Sequence, residues 1–369
     1  MLLIVGGVIL APWKQPSYTV AAPIDPAEHA KTIKEMGAPR HERPSIAIVS
    51  VNEATEVTDL MIPYGVLKRA DVADVAIVAE HTSSVALYPF SKLGQGSELF
   101  KVEPQATLQD FDKQHPDGAD YVVIPAVLPR DNPAVVNWIK SQHQKGANIV
   151  SVCAGSITLA ATGLLDDRRS TSHWAYIDEL KEAHPTTKIV PDRRYVSDNH
   201  VTTATGISAS LPLSVAIVEA IAGKQKAQQV AQDLGLDYWD ERHLSSNFEL
   251  TWEHKKSFVR NSMSFWRKQT VGVPVNNGMD EVVLALTADV YSRTLLSKAV
   301  TVGDTIRGKY GLTIHPNTAD AASIDMLPAP ESDKPALTID RELNHIAERF
   351  DRPTAEIVAL TLEYPWMAK

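Results

Sequence analysis

The stretch NIVSVCAGSITLA, residues 148–160, decides the fold prediction. Three of its first five residues, Ile149, Val150 and Val152, are apolar and β-branched, which is typical of a buried parallel strand. The small and apolar run AGSITLAATGLL, residues 154–165, then indicates a helix that closes near Gly163. Cys153, the only cysteine in the chain, lies at the junction. The pattern predicts a strand-to-helix elbow that carries a reactive thiol. An inert cysteine that packs as a small hydrophobic residue is the alternative.

An elbow of this kind makes specific chemical demands. The backbone is tight there, so small neighbours are needed, and Ala154, Gly155 and Ser156 supply them. The N-terminus of the following helix faces the sulfur, and its dipole should lower the thiol pKa. Only a thiolate is an effective nucleophile. The sequence therefore predicts an activated Cys153.

Strands and helices alternate on both sides of this elbow. Apolar runs at residues 46–51, 74–80 and 120–126 read as buried strands, with helical spacing between them. This pattern predicts a doubly wound α/β domain with a mostly parallel sheet over residues 45–235. In such sheets, active groups lie at the carboxyl ends of strands. Cys153 and Ala126 both lie at such ends.

The N-terminal residues MLLIVGGVILAPW form an apolar run that is shorter than the roughly 20 residues of a membrane span. We favour an export signal or a short membrane anchor, followed by a Pro-rich linker to residue 44. A buried N-terminal strand is the alternative. This interpretation predicts a membrane-anchored or periplasmic protein, with a cytoplasmic location as the second choice.

The region 236–369 contains a partial internal repeat. VNNGMDEVVLALTADVYSR at 275–293 matches VNEATEVTDLMIPYGVLKR at 51–69, at an offset of 224 residues. Arg69 aligns with Arg293, whereas Asp59 aligns with Val283. We predict a smaller α/β copy of the first β-α-β unit over about residues 271–330, without its own catalytic groups. Chance similarity between two amphipathic segments is the alternative.

Composition excludes several classes of function. The net charge is −9, which argues against nonspecific nucleic-acid binding. A single cysteine excludes an internal disulfide framework and a Cys-rich zinc site. No dinucleotide or phosphate-binding glycine motif occurs, and no ligand cluster has metal-binding spacing, so neither a cofactor nor a metal is expected. HKKSFVRNSMSFWRK, residues 254–268, is basic and aromatic. It reads as a surface helix, or as an amphipathic segment on anionic lipid.

The segment VCAGSITLAATGLLDDRRSTSHWAYIDEL, residues 152–180, resembles the elbow region of the ThiJ/PfpI superfamily. It is especially similar to the class I glutamine amidotransferase-like branch and the amidase-like domain of AraC-type regulators. The resemblance covers about residues 45–225. It implies a flavodoxin-like or glutamine amidotransferase-like fold, a small-molecule ligand and a homodimer. We find no helix-turn-helix motif after residue 236, so direct nucleic-acid binding is not expected.

The resemblance also implies a catalytic set. Cys153 would be the nucleophile or a redox-sensitive thiolate. Asp59, four residues before Pro63, would contact the sulfur and donate a hydrogen bond when protonated. His173, 20 residues after Cys153, would act as general base or orient the thiolate.

The backbone N–H groups of Ala154 and Ala126 would form the oxyanion hole. Family members often have Gly-Gly where this chain has Ala126. Isocyanide hydratase-like members have Thr where this chain has Ala154, which argues against isocyanide hydration. PfpI-type proteases have His directly after the cysteine, which argues against proteolysis.

Three functional hypotheses follow. The first is a tethered enzyme that acts on a small electrophile, as a hydrolase, hydratase or glyoxalase-like lyase. The second is a non-catalytic ligand or redox sensor of the AraC-type amidase-like branch. The third is a redox-protective protein in which Asp59 stabilises a Cys153 sulfinate.

Overall fold

The computed structural model describes residues 18–90, 96–322, 324–330 and 333–367. The predicted N-terminal signal or anchor therefore lies outside the described residues. The described strands, in chain order, are β1 (Ser45–Val49), β2 (Thr55–Glu56), β3 (Asp74–Ala79), β4 (Val85–Tyr88), β5 (Phe100–Val102), β6 (Ala106–Thr107), β7 (Tyr121–Ile124), β8 (Asn148–Ser151), β9 (Arg169–Ser170), β10 (Lys188–Ile189), β11 (Tyr195–Asp198), β12 (Val201–Ala204), β13 (Gln269–Pro274), β14 (Ser297–Val302), β15 (Ile306–Arg307), β16 (Thr313–Pro316) and β17 (Asp325–Met326).

The α-helices of the described residues follow the same order. They are α1 (Pro26–Met36), α2 (Val57–Ala70), α3 (Leu108–Gln114), α4 (Pro133–Gln144), α5 (Gly155–Ala160), α6 (Ile177–Ala183), α7 (Ser210–Leu234), α8 (Trp252–Met263), α9 (Glu281–Ser292), α10 (Thr338–Arg349) and α11 (Arg352–Thr361).

The main sheet has the strand order β11-β12-β8-β7-β1-β3-β6. Its pairs are parallel except β11 with β12. Strands β1, β7 and β8 are buried at every residue, as expected for parallel strands covered on both faces. Alternate residues of β1 belong to two separate cores, with Ile46 and Ile48 in one and Ala47 and Val49 in the other. The predicted doubly wound, mostly parallel fold is confirmed.

The predicted linker before residue 44 is wrong for residues 26–36, which form α1. Asp25 caps this helix by accepting a hydrogen bond from the Ala27 N–H at 2.7 Å, and Pro26 occupies its first turn. Met36 is fully buried, and His29 contacts Glu219 and Glu241 at 3.1 and 3.0 Å. The Pro-rich composition concealed a helix that packs on the domain.

Among the described residues, one helical stretch, Ile207–Leu234, is long and apolar enough to cross a membrane. Most of its apolar window is buried inside the protein. It packs against α2 as a core helix.

The C-terminal region contains a second β-α-β unit, as the repeat predicted. Strands β13 and β14 are parallel over six residue pairs, from Gln269 with Ser297 to Pro274 with Val302. Helix α9 connects them and packs against α2 of the first unit. Strand β16 pairs with β5, so one five-stranded sheet, β15-β16-β5-β4-β2, joins both units. The copy is therefore packed into the body of the first domain.

Candidate functional site

Cys153 lies between β8 and α5 with a φ of 53°, in the left-handed region that few non-glycine residues adopt. Its N–H donates to the Thr205 carbonyl at 3.1 Å. Its carbonyl accepts hydrogen bonds from the Ser156 and Ser172 hydroxyls at 3.0 and 3.3 Å. The surrounding backbone and side chains thus hold the cysteine in a strained conformation, as the elbow prediction required.

Gly155 is needed for this geometry. A Cβ atom at this position would lie 2.2 Å from the Ile124 carbonyl oxygen and 2.8 Å from that of Pro125. Both contacts are with backbone, which cannot move aside as a side chain can. The start of α5 therefore approaches the end of β7 as closely as only glycine permits.

Asp59 is fully buried on α2. One carboxyl oxygen, Oδ2, accepts the Ala126 N–H at 3.1 Å. The other, Oδ1, has no hydrogen-bond partner among the described residues. Burial raises the pKa of Asp59 to about 7, although the Ala126 N–H and the Arg293 charge oppose this. A carboxyl with this pKa exchanges its proton near neutral pH.

Two further charged groups at the site, Glu56 and Arg293, were missed by the sequence reasoning. Glu56 caps α2 by accepting the Asp59 N–H at 2.7 Å. Arg293 Nη2 donates to Glu56 Oε1 at 2.9 Å, and its Nε donates to Asp289 Oδ2 at 2.7 Å. The side chains of all three residues are 0–2% exposed. The aligned arginines of the repeat, Arg69 and Arg293, were the available signal.

The charges of this cluster act on one another. Burial, followed by the charges of Asp59 and Asp289, raises the pKa of Glu56 well above its ordinary value, against the charge of Arg293. Burial lowers the pKa of Arg293, but the charges of Asp289 and Glu56 outweigh it and raise that pKa. Arg293 therefore stays cationic and is the positive charge of the cluster.

The thiol pKa was expected to be low, and this expectation is wrong. Burial, then the charges of Asp59 and Glu56, raises the pKa of Cys153 well above its ordinary value. The Ala154 N–H and the Arg293 charge oppose the increase. Helix α5 has only six residues, so its dipole is small. The resting group is a neutral thiol beside a carboxyl that titrates near pH 7.

His173 lies at the site but is not oriented as a general base. Its Nε2 donates to the Thr361 carbonyl at 3.0 Å, and its Nδ1 accepts the Ala175 N–H at 3.1 Å. A carbonyl can only accept and an N–H can only donate, so these two bonds fix a neutral tautomer. The geometry indicates a residue that ties the site to α11.

The two predicted oxyanion donors are already engaged. The Ala154 N–H interacts with the Cys153 sulfur, and the Ala126 N–H donates to Asp59. Ala126 would have to leave Asp59 before it could bind an oxyanion. The structure thus brings all five predicted site residues together but assigns three of them different contacts.

A cavity of about 800 Å³ opens beside Cys153. Cys153 is 5% exposed and lies on its wall, which is mostly apolar. The charged part consists of Arg130 and Glu179, which form an ion pair, with Asp178 and Lys255. The uncharged lining includes Phe90, Leu128, Trp174, Tyr176, Leu250, Phe258 and Val259. Such a cavity favours a small, largely uncharged ligand.

The described residues include no group of three or more His, Cys, Asp or Glu side chains arranged to hold a metal ion.

A model of the DJ-1/PfpI family matches residues 44–220. Isonitrile hydratase from Pseudomonas putida is 31% identical over 185 residues, which cover 49% of this chain and 72% of the relative. The HTH-type transcriptional regulator CdhR from Pseudomonas aeruginosa is 33% identical over 104 residues, which cover 28% of this chain and 31% of the regulator. The crystal structure of Drosophila melanogaster DJ-1beta aligns at 23% identity over 53% of this chain and 100% of that chain, with a TM-score of 0.46.

Proposed function

Because this chain belongs to the DJ-1/PfpI family, we propose that it is an enzyme whose Cys153 adds to an electrophilic carbon of a small, uncharged molecule. The family includes enzymes and regulators, so membership alone does not choose between them. One observation carries the proposal: a strained thiol lies at the wall of a large, mostly apolar cavity, and the charge of a buried carboxyl with a pKa of about 7 acts on it.

The two groups can perform an addition of water in two stages. The Asp59 carboxylate accepts the thiol proton as the Cys153 sulfur forms a bond to the electrophilic carbon. For an isonitrile, the resulting carboxylic acid returns that proton to the same carbon, which gives a thioimidate. Water then adds to the same carbon, the carbon–sulfur bond breaks, and the sulfur recovers a proton. The product is the substrate with one molecule of water added.

The pKa values suit this exchange. A carboxyl with a pKa near 7 is present in both protonation states at neutral pH. The neutral resting thiol avoids a second negative charge beside Asp59. The mostly apolar lining of the cavity disfavours charged substrates.

Ala154 replaces the Thr of isocyanide hydratase-like members, but one relative is an isonitrile hydratase, so isonitriles are tested first and other electrophiles beside them. The test incubates the full chain with a small alkyl isonitrile, and with an α-oxoaldehyde as the glyoxalase alternative. Formamide or hydroxy-acid product is measured. We expect turnover that is lost in Cys153→Ala and in Asp59→Asn, and kept in Asp71→Asn, whose side chain is 80% exposed. Equal product from wild type and Cys153→Ala would reject the proposal.

A second candidate is a ligand or redox sensor. It is favoured by the engaged Ala126 N–H and by the backbone contacts of both His173 nitrogens, which leave fewer groups for catalysis. In this function, peroxide oxidises the Cys153 thiol and is itself reduced to water. Intact mass spectrometry after peroxide treatment tests it. A stable gain of two oxygen atoms on Cys153, without turnover of either substrate class, would favour the sensor.

The chain is also proposed to attach to a membrane, which would place it at the cell envelope. Large apolar side chains are exposed on α8 and just after it: Trp252 at 70%, Met263 at 67%, Phe265 at 74% and Trp266 at 72%. Lysine and arginine side chains lie between them, and aromatic and basic residues together are typical of interfacial helices. Thr19 is hydrogen-bonded to Asn247 at 3.1 and 2.9 Å. Thr19 is therefore held at Asn247, five residues before the start of α8.

Cosedimentation with vesicles tests this attachment. Full-length protein is mixed with phosphatidylcholine vesicles with or without phosphatidylglycerol. We expect binding that increases with the anionic lipid and falls in Phe265→Ser/Trp266→Ser. Leu337→Ser, at a 48% exposed apolar residue elsewhere, is the matched control and should bind like the wild type. Equal binding by all three proteins would reject the apolar residues on and just after α8 as the membrane-binding surface.

A further inference from the structure

Two buried ion pairs are related by the same offset as the internal repeat. Adding 224 to Glu56 gives Asp280, and adding 224 to Arg69 gives Arg293. In the structure the pairs cross between the copies. Arg293 of the second copy binds Glu56 of the first, and Arg69 of the first binds Asp280 of the second. Each copy therefore contributes one arginine and one carboxylate to the two ion pairs.

The positions within the helices repeat as well. Glu56 is the N-cap of α2, and Asp280 is the N-cap of α9. Arg69 lies in the last turn of α2, and Arg293 is the C-cap of α9. The two helices therefore run antiparallel, with the acidic start of each against the basic end of the other. These charges also suit the helix dipoles.

The contact between the helices is close and buried. A Cβ on Gly65 would lie 2.6 Å from Val282 Cγ2. Arg293 and Glu56 are 2% and 0% exposed, and Arg69 and Asp280 are 11% and 0% exposed. In an isologous interface, residue i of one subunit contacts residue j of the other, and j contacts i. The α2–α9 contact has this pattern within one chain.

The two ion pairs nevertheless differ in their surroundings. The Glu56–Arg293 pair lies beside Asp59, and its charges act on Cys153. Arg293 also donates to the carbonyl of Phe90, which lines the cavity, at 2.7 Å. The Arg69–Asp280 pair instead contacts Lys309 and the ring of Tyr310. The chain has no second cysteine.

We infer that the C-terminal repeat takes the place of a second subunit. It covers the α2 face that a second copy would use, and it supplies Arg293 to the Cys153 site from within the same chain. The protein then works as a monomer with one site, in place of the homodimer that the family resemblance suggested. Arg293 is a positioning residue. It holds Glu56 at the start of α2, and its charge acts on the thiol without touching the reacting atoms.

The first experiment compares two arginine variants of the full chain, Arg293→Met and Arg69→Met. Both remove the cation of a buried pair, but only Arg293 lies near the thiol. The rate of Cys153 alkylation by iodoacetamide is measured against pH. The charges that act on the thiol are those of Glu56 and Asp59 from α2 and of Arg293 from α9, which is itself paired with Asp289. Tyr176 and His173 share the cavity wall with Cys153.

We expect Arg293→Met to move the alkylation profile to higher pH and to slow the reaction at least about tenfold at pH 8, because a buried positive charge that lowers the thiol pKa is lost. Arg69→Met should keep the wild-type profile within about twofold. Arg293→Lys, which keeps the charge, should recover most of the rate. Equal profiles for Arg293→Met and Arg69→Met would overturn the role of Arg293.

The second experiment measures the mass of the wild-type chain in solution by light scattering. A monomer of 40.4 kDa is expected at micromolar concentration. A stable dimer would overturn the inference that the C-terminal repeat takes the place of a second subunit. This measurement remains informative even if Arg293→Met does not fold. Neither experiment needs a substrate, so failure of the proposed reaction leaves both outcomes readable.

Discussion

Substituting Asp59 by Asn should make the protein more stable, and only above acidic pH. Asn keeps an oxygen that can accept the Ala126 N–H, but it cannot ionise. The pKa of Asp59 rises from 3.8 to about 7 in the folded protein. Each pH unit of that difference is worth about 1.4 kcal/mol, so ionising Asp59 costs the folded state about 4 kcal/mol.

The sign follows from linkage. Below pH 3.8, Asp59 is protonated in both the folded and the unfolded chain, and its contribution to stability is complete. Between pH 3.8 and about 7, the unfolded chain ionises while the folded site resists, so the wild type loses that stability. Above this range the loss is constant. Asp59→Asn escapes it, and its advantage should grow by about 3 kcal/mol between pH 5 and pH 8.

Denaturant unfolding of both proteins from pH 5 to pH 8 measures this difference. The same pair is compared in a Cys153→Ala background, which removes titration of the thiol. Asp71→Asn is the matched control, since that side chain is 80% exposed and should leave the pH dependence unchanged. An advantage that is the same at every pH, or that shrinks as pH rises, would refute the buried-carboxyl reasoning. A buried site that lowers the free energy of unfolding is typical of residues selected for function at the expense of stability.

Gly155→Ala should lower the free energy of unfolding by at least about 3 kcal/mol in denaturant titrations, because its Cβ would meet the Ile124 carbonyl at 2.2 Å. Gly223→Ala, at a φ of 81° with open space around it, should cost only about 1 kcal/mol, and equal costs would contradict the clash. Burial lowers the pKa of His29, but Glu219 and Glu241 outweigh it and raise that pKa from 6.5 to about 9. The stabilisation from this contact should therefore be complete below pH 6.5 and be lost as pH rises through about 9. His29→Gln should remove that loss in the same titrations, and an unchanged slope would contradict the prediction. Ser172→Ala, which removes one of the two hydroxyl donors to the Cys153 carbonyl, should cost about 1 kcal/mol of stability without shifting the alkylation profile.

The elbow could be predicted because its signals are local. A β-branched strand, a cysteine and three small residues within 13 positions are enough to specify the turn around Cys153. Helix α1 was missed although Asp25 and Pro26 form a local start signal, because the surrounding prolines suggested a linker.

The contacts that depend on distant segments could not be predicted. The orientation of His173 is set by the Thr361 carbonyl, 188 residues away, and Glu56 meets Arg293 across 237 residues. The thiol pKa follows from burial and neighbouring charges, which no local motif encodes. The repeat indicated that a second unit exists, but its packing against α2 depends on long-range tertiary contacts that the repeat alone does not specify.

The separation between Glu56 and Arg293 bears on how the protein is made. A ribosome adds about 5–20 residues per second, so Arg293 emerges well after Glu56, Asp59 and Cys153. Until then the buried carboxyls have no cation beside them, and the Thr361 carbonyl that orients His173 follows later still. The thiol environment is thus completed late in synthesis. A nascent chain that already holds its cysteine elbow would not yet have the finished site.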